Sequence, residues 1–121
     1  MSIQDVVHKW RRWRERERDG FAQIRYSGFF DAPLAFIVGH QGQLFFFWRE
    51  FDESMDEYAD SYEVYLLPGD VRVEEVRTAE QWRALRTTCL ARLGPVPVSS
   101  VEFDRSRRKA IRTSLLDRLV V

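Results

Sequence analysis

Cysteine and histidine are scarce in this sequence of 121 residues. Cys89 is the only cysteine, so the chain cannot form an internal disulfide, and we expect a reducing compartment, the cytoplasm. The two histidines, His8 and His40, are far apart along the chain and do not have the ligand spacing of a structural zinc site. The sequence therefore predicts neither a metal site nor a cofactor.

Long hydrophobic runs are also absent. No apolar segment approaches the roughly 18 residues that a membrane-spanning helix requires. Residues 1–19 are too rich in charge for a secretory signal. We therefore expect a soluble protein that is neither exported by that route nor bound to a membrane.

Catalytic motifs are missing as well. No serine lies in a nucleophile-elbow sequence, no glycine-rich loop resembles a phosphate-binding loop, and no dinucleotide fingerprint follows a predicted strand. Cys89 falls on the apolar side of a predicted helix, which favours packing over reactivity. We therefore predict that the protein is not an enzyme.

The charges that are present are unevenly distributed, although 19 basic and 19 acidic residues give a formal net charge of zero. Residues 49–76 contain ten acidic and two basic residues, whereas residues 77–121 contain ten basic and four acidic residues. Lys9 and Lys109 are the only lysines, and the planar guanidinium group of arginine suits recognition of carboxylates and phosphates. The sequence thus joins an acidic middle to a basic C-terminal part.

Hydrophobic periodicity predicts the secondary structure. Helices are predicted for residues 2–19, from Thr78 to about residue 93, and after Asp104 or Ser106. Strands are predicted at residues 22–27, 34–38, 44–48, 62–67 and 71–76, with a further edge strand at 98–103. A capping box formed by Thr78 and Gln81 marks the start of the second helix. Residues 44–48 are apolar on both faces, which indicates a central strand covered on both sides or a strand at an interface.

The order of these elements predicts an α+β fold in a single domain that spans residues 1–121. Consecutive strands joined by short turns favour an antiparallel meander of four to five strands. We expect the N-terminal helix and two C-terminal helices to pack mainly on one face of this sheet.

The acidic segment between the third and fourth predicted strands is the first candidate binding site. Its candidate residues are Asp52, Glu53, Met55, Asp56, Glu57, Tyr58, Asp60 and Tyr62. Aromatic rings supply buried contact area, while carboxylates steer a basic partner towards the site. We hypothesise a protein-interaction module, an inhibitor or immunity-type partner, that binds a basic protein surface. The alternative is a solvated loop that pairs with the protein's own arginines.

A basic C-terminal helix is the second candidate site. Its residues are Arg105, Arg107, Arg108, Lys109 and Arg112, three of which recur at a spacing that places them on one helix face. Such a face could contact nucleic-acid phosphates. The whole-chain isoelectric point of about 6.7 is below the strongly basic values typical of nucleic-acid-binding domains, so this hypothesis ranks second.

Two further interpretations remain open. A pocket between sheet and helices, lined by Tyr26, Phe46 and Trp48, could hold a ligand in a carrier or small enzyme, although aromatic residues at strand spacing usually belong to a core. The strand that is apolar on both faces could also support a homodimer.

Overall fold

A computed structural model describes residues 20–104 and 109–119 of the chain. The helix predicted for residues 2–19 lies outside the described residues. The strands are β1 (Phe21–Phe30), β2 (Ala32–His40), β3 (Gln43–Trp48), β4 (Phe51–Asp52), β5 (Glu57–Tyr58), β6 (Ser61–Leu67), β7 (Ala91–Arg92), β8 (Val96–Pro97) and β9 (Ala110–Arg112). The helices are α1 (Ala79–Ala84), α2 (Thr113–Leu119) and two 3-10 helices, Val73–Glu75 and Val98–Ser100.

Four long strands form the centre of the main sheet. β1, β2, β3 and β6 pair as antiparallel neighbours, so that Ile37 lies opposite Phe46, which in turn lies opposite Tyr65. These strands lie at four of the predicted positions, because their sequences alternate apolar and polar residues or are apolar throughout. The connection from β2 to β3 is a tight turn in which Gln41 and Gly42 both have positive φ angles, as this type of hairpin requires.

The sheet is larger than the sequence predicts. β9 pairs with β1, and β7 and β8 both pair with β6, which gives seven antiparallel strands. The prediction of four to five strands is therefore wrong. The added strands are only two or three residues long, which is too short for a periodic pattern to appear in the sequence. β4 and β5 pair with each other in a separate hairpin.

Both faces of the main sheet are covered. On one face, Phe45 and Phe47 of β3 belong to a hydrophobic cluster that includes Leu116 of α2. On the other face, Phe46 belongs to a second cluster that includes Trp82 of α1. The prediction that this strand is central and covered on both sides is confirmed by the burial of its side chains. The prediction that the helices pack mainly on one face is wrong, because α1 and α2 cover opposite faces.

Residues 71–76 do not form the predicted strand. Val73 and Val76 are buried in the cluster that contains Trp82, while Glu74 and Glu75 are exposed. The alternation of apolar and charged residues predicted a strand, but a turn of 3-10 helix buries the same two valines and exposes the same two glutamates. A hairpin partner for β6 has no place here, because β3 occupies one edge of β6 and the pair β7 and β8 occupies the other.

The helix predicted from Thr78 to about residue 93 is much shorter. Its start is confirmed, because Thr78 Oγ1 accepts a hydrogen bond from Gln81 N and Gln81 Oε1 accepts one from Thr78 N. After α1 the chain turns back to the sheet, where Leu90 N donates to Leu66 O at 2.7 Å. The residues after α1 thus supply hydrogen-bond partners to the edge of β6, as buried backbone groups require.

The C-terminal part also differs from the prediction. Residues 98–103 contain a 3-10 helix rather than an edge strand, followed by an isolated bridge between Phe103 and Ile111. The final helix begins at Thr113, later than the predicted start after Asp104 or Ser106, and Ile111 belongs to β9. Ile111 lies opposite Ala22, where β9 pairs with the edge of β1. The described residues therefore form a mostly β structure, not a sheet with three packed helices.

Candidate functional site

The acidic segment of the first candidate site forms an exposed hairpin after β3. Phe51 of β4 lies opposite Tyr58 of β5, and Asp52 lies opposite Glu57. All side chains from residue 51 to residue 57 are exposed. Asp56 has a φ angle of 51°, a left-handed conformation that aspartate tolerates better than most residues and that helps to reverse the chain.

Asp52 has a structural role in this hairpin. Its Oδ1 accepts hydrogen bonds from Ser54 Oγ at 2.6 Å, from Ser54 N at 2.9 Å and from Met55 N at 3.3 Å. These bonds, first of all the one from the Ser54 hydroxyl, hold the pKa of Asp52 below its ordinary value. Asp52 therefore shapes the turn, and its carboxylate is partly satisfied by the hairpin itself.

Four other carboxylates of the hairpin have no cation partner among the described residues. They are Glu53, Asp56, Glu57 and Asp60, all exposed. Within residues 20–104 and 109–119, none of them forms an ion pair. Arg49 instead donates to the carbonyl oxygens of Ala59 and Phe30, and Arg112 pairs with Glu102 at 3.0 Å. The described contacts thus give no support to a loop that pairs with the protein's own arginines.

Apolar side chains accompany these carboxylates. Phe51 contacts Tyr58 with 5.0 Å between ring centroids, and Phe30 at the end of β1 contacts Tyr58 at 5.8 Å. Phe30 is 55% exposed and Met55 64% exposed. We call the four apolar residues and the four unpaired carboxylates the hairpin surface. Sequence reasoning missed Phe30, which only the tertiary arrangement brings next to Tyr58, and it missed Phe51, which directly precedes Asp52 in the sequence.

Tyr62 does not belong to the hairpin surface, although the sequence placed it among the candidate residues. Its side chain is fully buried between the rings of Phe36 and Phe47. The Tyr62 hydroxyl donates to Pro33 O at 2.6 Å, and burial raises its pKa far above the ordinary value. Tyr62 is a core residue that anchors β6 to the start of β2.

The described part of the second candidate site does not form a basic helix face. Lys109 lies before β9 and Arg112 lies on β9, whereas the helix starts one residue later. The Arg112 guanidinium lies over the ring of Phe21 at 4.3 Å and bonds to Glu102. Helical spacing therefore does not relate Arg112 to the rest of the set. Arg105, Arg107 and Arg108 lie outside the described residues.

A cleft of about 510 Å³ lies beside the hairpin, between the hairpin, the ends of β1 to β3, and α1. Its lining includes the aromatic residues Trp48, Phe51, Tyr58 and Trp82 and the charged residues Arg49, Glu50, Arg83 and Arg86. Of the predicted pocket residues, only Trp48 lines this cleft. Phe46 is fully buried and Tyr26 lies on the exposed end of β1. Sequence reasoning missed the arginines, because they come from separate elements.

One wall of the cleft is a rigid polar network around Arg86. Its guanidinium lies over the Trp48 ring at 5.5 Å and forms ion pairs with Glu50 at 3.1 Å and Glu63 at 3.0 Å. The Tyr65 hydroxyl donates to Glu63 at 2.6 Å, and Glu50 also accepts a hydrogen bond from Trp48 Nε1 at 2.8 Å. Arg86 is therefore engaged by two carboxylates of the protein and lies against Trp48, whose own N–H is held by Glu50.

Other features raised by the sequence have ordinary structural roles or no counterpart in the described ranges. Cys89 is half-buried against the second hydrophobic cluster, and its Sγ lies 3.4 Å from Arg86 O. Among the described residues, no group of three or more histidine, cysteine, aspartate or glutamate side chains is arranged to hold a metal ion. Neither α1 nor α2 is long and apolar enough to cross a membrane.

Comparisons with known proteins give no family for this chain. No protein-family model matches the sequence, and no curated protein matches it. The search of solved structures also found no match.

Proposed function

We propose that the protein is a non-catalytic interaction module whose hairpin surface binds a basic surface of a partner protein. The observation that carries this proposal is the hairpin itself, in which exposed apolar side chains lie among carboxylates that have no cation partner in the described residues. An inhibitor or immunity-type role would use the same surface, with the partner's active or binding site as the basic surface.

The two kinds of side chain would contribute differently to such a complex. Phe30, Phe51, Met55 and Tyr58 lose contact with water on binding, and apolar burial supplies most of the binding free energy of protein interfaces. The carboxylates attract a basic partner over a distance of about 8–10 Å at ordinary salt, which speeds association. The proposal therefore includes an association rate that falls as salt concentration rises.

Charge reversal at the hairpin provides the test. The triple variant Glu53→Lys, Glu57→Lys and Asp60→Lys leaves Asp52 and Asp56 unchanged, because those residues shape the turn. Proteins captured from a lysate of the producing cells by wild-type but not by variant protein are identified by mass spectrometry and purified. We expect such a partner to bind wild-type protein with salt-dependent kinetics and the variant at least about tenfold more weakly, measured by biolayer interferometry.

A control variant carries the same charge change elsewhere. Asp70→Lys, Glu74→Lys and Glu80→Lys alter three exposed carboxylates that have no ion pair among the described residues. Asp70 follows the end of β6 opposite the hairpin. We expect this control variant to bind the partner as wild-type protein does. Loss of the partner from both variants, or its retention by the hairpin variant, would contradict the proposal.

Nucleic-acid binding by the C-terminal arginines is an alternative with less support. Of its two described residues, Arg112 is engaged by Glu102 and by the Phe21 ring, and only Lys109 is exposed. A titration of labelled DNA and RNA at low salt separates the two functions, since nucleic-acid binding would show a steep salt dependence and no sensitivity to the hairpin variant.

A further inference from the structure

The described lining of the cleft beside the hairpin contains three arginines and one carboxylate. Among its described lining residues, Arg86 is paired with Glu50, the only lining carboxylate. Arg49 donates to two neutral carbonyl oxygens, which bind its hydrogens without cancelling its charge. The Arg83 side chain is exposed and has no hydrogen-bond or ion-pair partner in the described residues. Arg49 and Arg83 therefore have no carboxylate partner among the described residues.

The apolar part of the lining is suited to a flat organic group. Trp48 is half-exposed, with its ring orientation fixed by Arg86 and Glu50. Phe51 and Tyr58 form the wall that the cleft shares with the hairpin. Ligand sites usually combine such aromatic walls with a few polar groups in a volume of roughly 300–1,000 Å³. The volume of this cleft, about 510 Å³, is within that range.

We propose that the cleft binds a small organic anion, whose carboxylate or phosphate group lies beside Arg49 and Arg83 and whose aromatic body lies against Trp48. Guanidinium groups recognise both anions through paired N–H donors, so the two chemistries share one site. This inference does not require the proposed partner protein, although Phe51 and Tyr58 belong both to the cleft and to the hairpin surface. It concerns the basic side of the hairpin region, whereas partner binding depends on the acidic side.

Arg83 is the residue whose replacement tests the proposal most cleanly. The Arg49 side chain donates hydrogen bonds to Ala59 O and Phe30 O, so its replacement would also disturb the hairpin. Arg83 makes no such contact with the described residues, and Arg83→Gln removes the charge while it keeps a polar side chain. Arg118→Gln is the matched control, because Arg118 is an exposed arginine on α2, which covers the opposite face of the sheet.

The probes are naphthoate, naphthyl phosphate, the neutral naphthamide and inorganic phosphate. Binding is followed by NMR through the indole N–H signal of Trp48, assigned with a Trp48→Phe variant. We expect naphthoate or naphthyl phosphate to shift this signal with saturation. Naphthamide lacks the negative charge and inorganic phosphate lacks the aromatic body. Each should therefore bind at least about tenfold more weakly. The stronger of the two anions distinguishes a carboxylate site from a phosphate site.

The variants decide whether the cleft is responsible. Arg83→Gln should weaken binding of the preferred anion by about tenfold or more, whereas Arg118→Gln should leave it unchanged. The proposal is overturned if no aromatic anion shifts the Trp48 signal, if naphthamide binds as tightly as naphthoate, or if Arg83→Gln binds like wild type. The charge-reversal variant of the hairpin leaves Arg83 intact, so failure of partner binding and failure of anion binding are separate results.

Discussion

Gly94 lies so close to β6 that a side chain has no room there. A Cβ atom at this position would lie 2.7 Å from Val64 N and 3.1 Å from Tyr62 O, and both are backbone atoms of a paired strand. The neighbours of Gly94 therefore cannot move aside without loss of sheet hydrogen bonds.

We predict that Gly94→Ala lowers the free energy of unfolding by about 1–3 kcal/mol, the usual cost of an extra group in a packed region. Urea denaturation followed by tryptophan fluorescence measures this change. Gly69→Ala is the control, because a Cβ at Gly69 would have no neighbour within 4 Å. We expect its effect to stay within about 1 kcal/mol of wild type, and an equal loss in both variants would contradict the steric explanation.

The hairpin of β4 and β5 is an element whose shape depends on the ionised form of Asp52. A carboxyl group whose pKa is lowered in the folded protein stabilises the structure above its ordinary pKa, and this contribution disappears as the pH falls through the lowered value. The turn, rather than the whole protein, should respond, because the described hydrogen bonds of the Asp52 side chain all lie within the turn.

We predict that the amide signals of Ser54 and Met55 shift together as the pH falls below the ordinary aspartate pKa of about 4. Asp52→Asn should abolish this titration while it keeps an acceptor oxygen for the turn. A pH series of amide NMR spectra measures both. Retention of the same titration at Ser54 in the Asp52→Asn variant would show that another carboxylate is responsible.

The long elements of this fold could be predicted from the sequence, whereas its short ones could not. Alternation in β1, the apolar runs of β2 and β3, and the capping box at Thr78 are local signals that the structure bears out. β7, β8 and β9 form because they pair with the edges of β6 and β1, which lie far away in the chain. Leu90 N, for example, donates a hydrogen bond to Leu66 O. No local pattern contains that information.

The candidate site divides in the same way. The acidic and aromatic composition of the hairpin was visible as a cluster in the sequence. Its contact with Phe30, the burial of Tyr62 and the collection of Arg49 and Arg83 in one cleft depend on the tertiary arrangement. Sequence periodicity places side chains on faces, but it does not show which faces meet.

At the level of the whole molecule, the apolar side chains of β3, which suggested a homodimer, are buried by packing on both faces of the main sheet. Phe45, Phe46 and Phe47 are all fully buried within the chain itself. Self-association therefore no longer follows from β3. The charge segregation remains, with the acidic hairpin surface and the basic cleft side by side around Tyr58.

The Glu63 network links distant parts of the molecule and should affect its global stability. Glu63 on β6 accepts hydrogen bonds from Tyr65, from Arg86 after α1 and from Arg92 on β7. Burial alone would raise the pKa of Glu63, but the Tyr65 hydrogen bond and the two arginine charges more than offset it, so the pKa lies below its ordinary value. The network therefore stabilises the fold above the ordinary glutamate pKa and loses this effect in acid.

We predict that Glu63→Gln lowers the free energy of unfolding by about 1 kcal/mol at neutral pH, a modest figure because solvent screens these partly exposed ion pairs. The difference from wild type should shrink as the pH falls through the lowered pKa of Glu63. Thermal unfolding between neutral and acid pH measures it. The stability of the control Glu53→Gln should follow that of wild type at every pH, because Glu53 has no partner among the described residues. A loss of stability in Glu63→Gln that does not change with pH would contradict the electrostatic explanation.

The short strands at both margins of the sheet have a consequence for neighbouring molecules. β7 and β8 share one edge of β6, and β9 covers β1 with three residues. On the β6 side, a second molecule would find few free amide and carbonyl groups in a row, because β7, β8 and Leu93 already bond to that edge, so strand-by-strand polymerisation could not propagate easily there. The β6 border is the better protected of the two, because among the described strands β9 pairs with only three of the ten residues of β1.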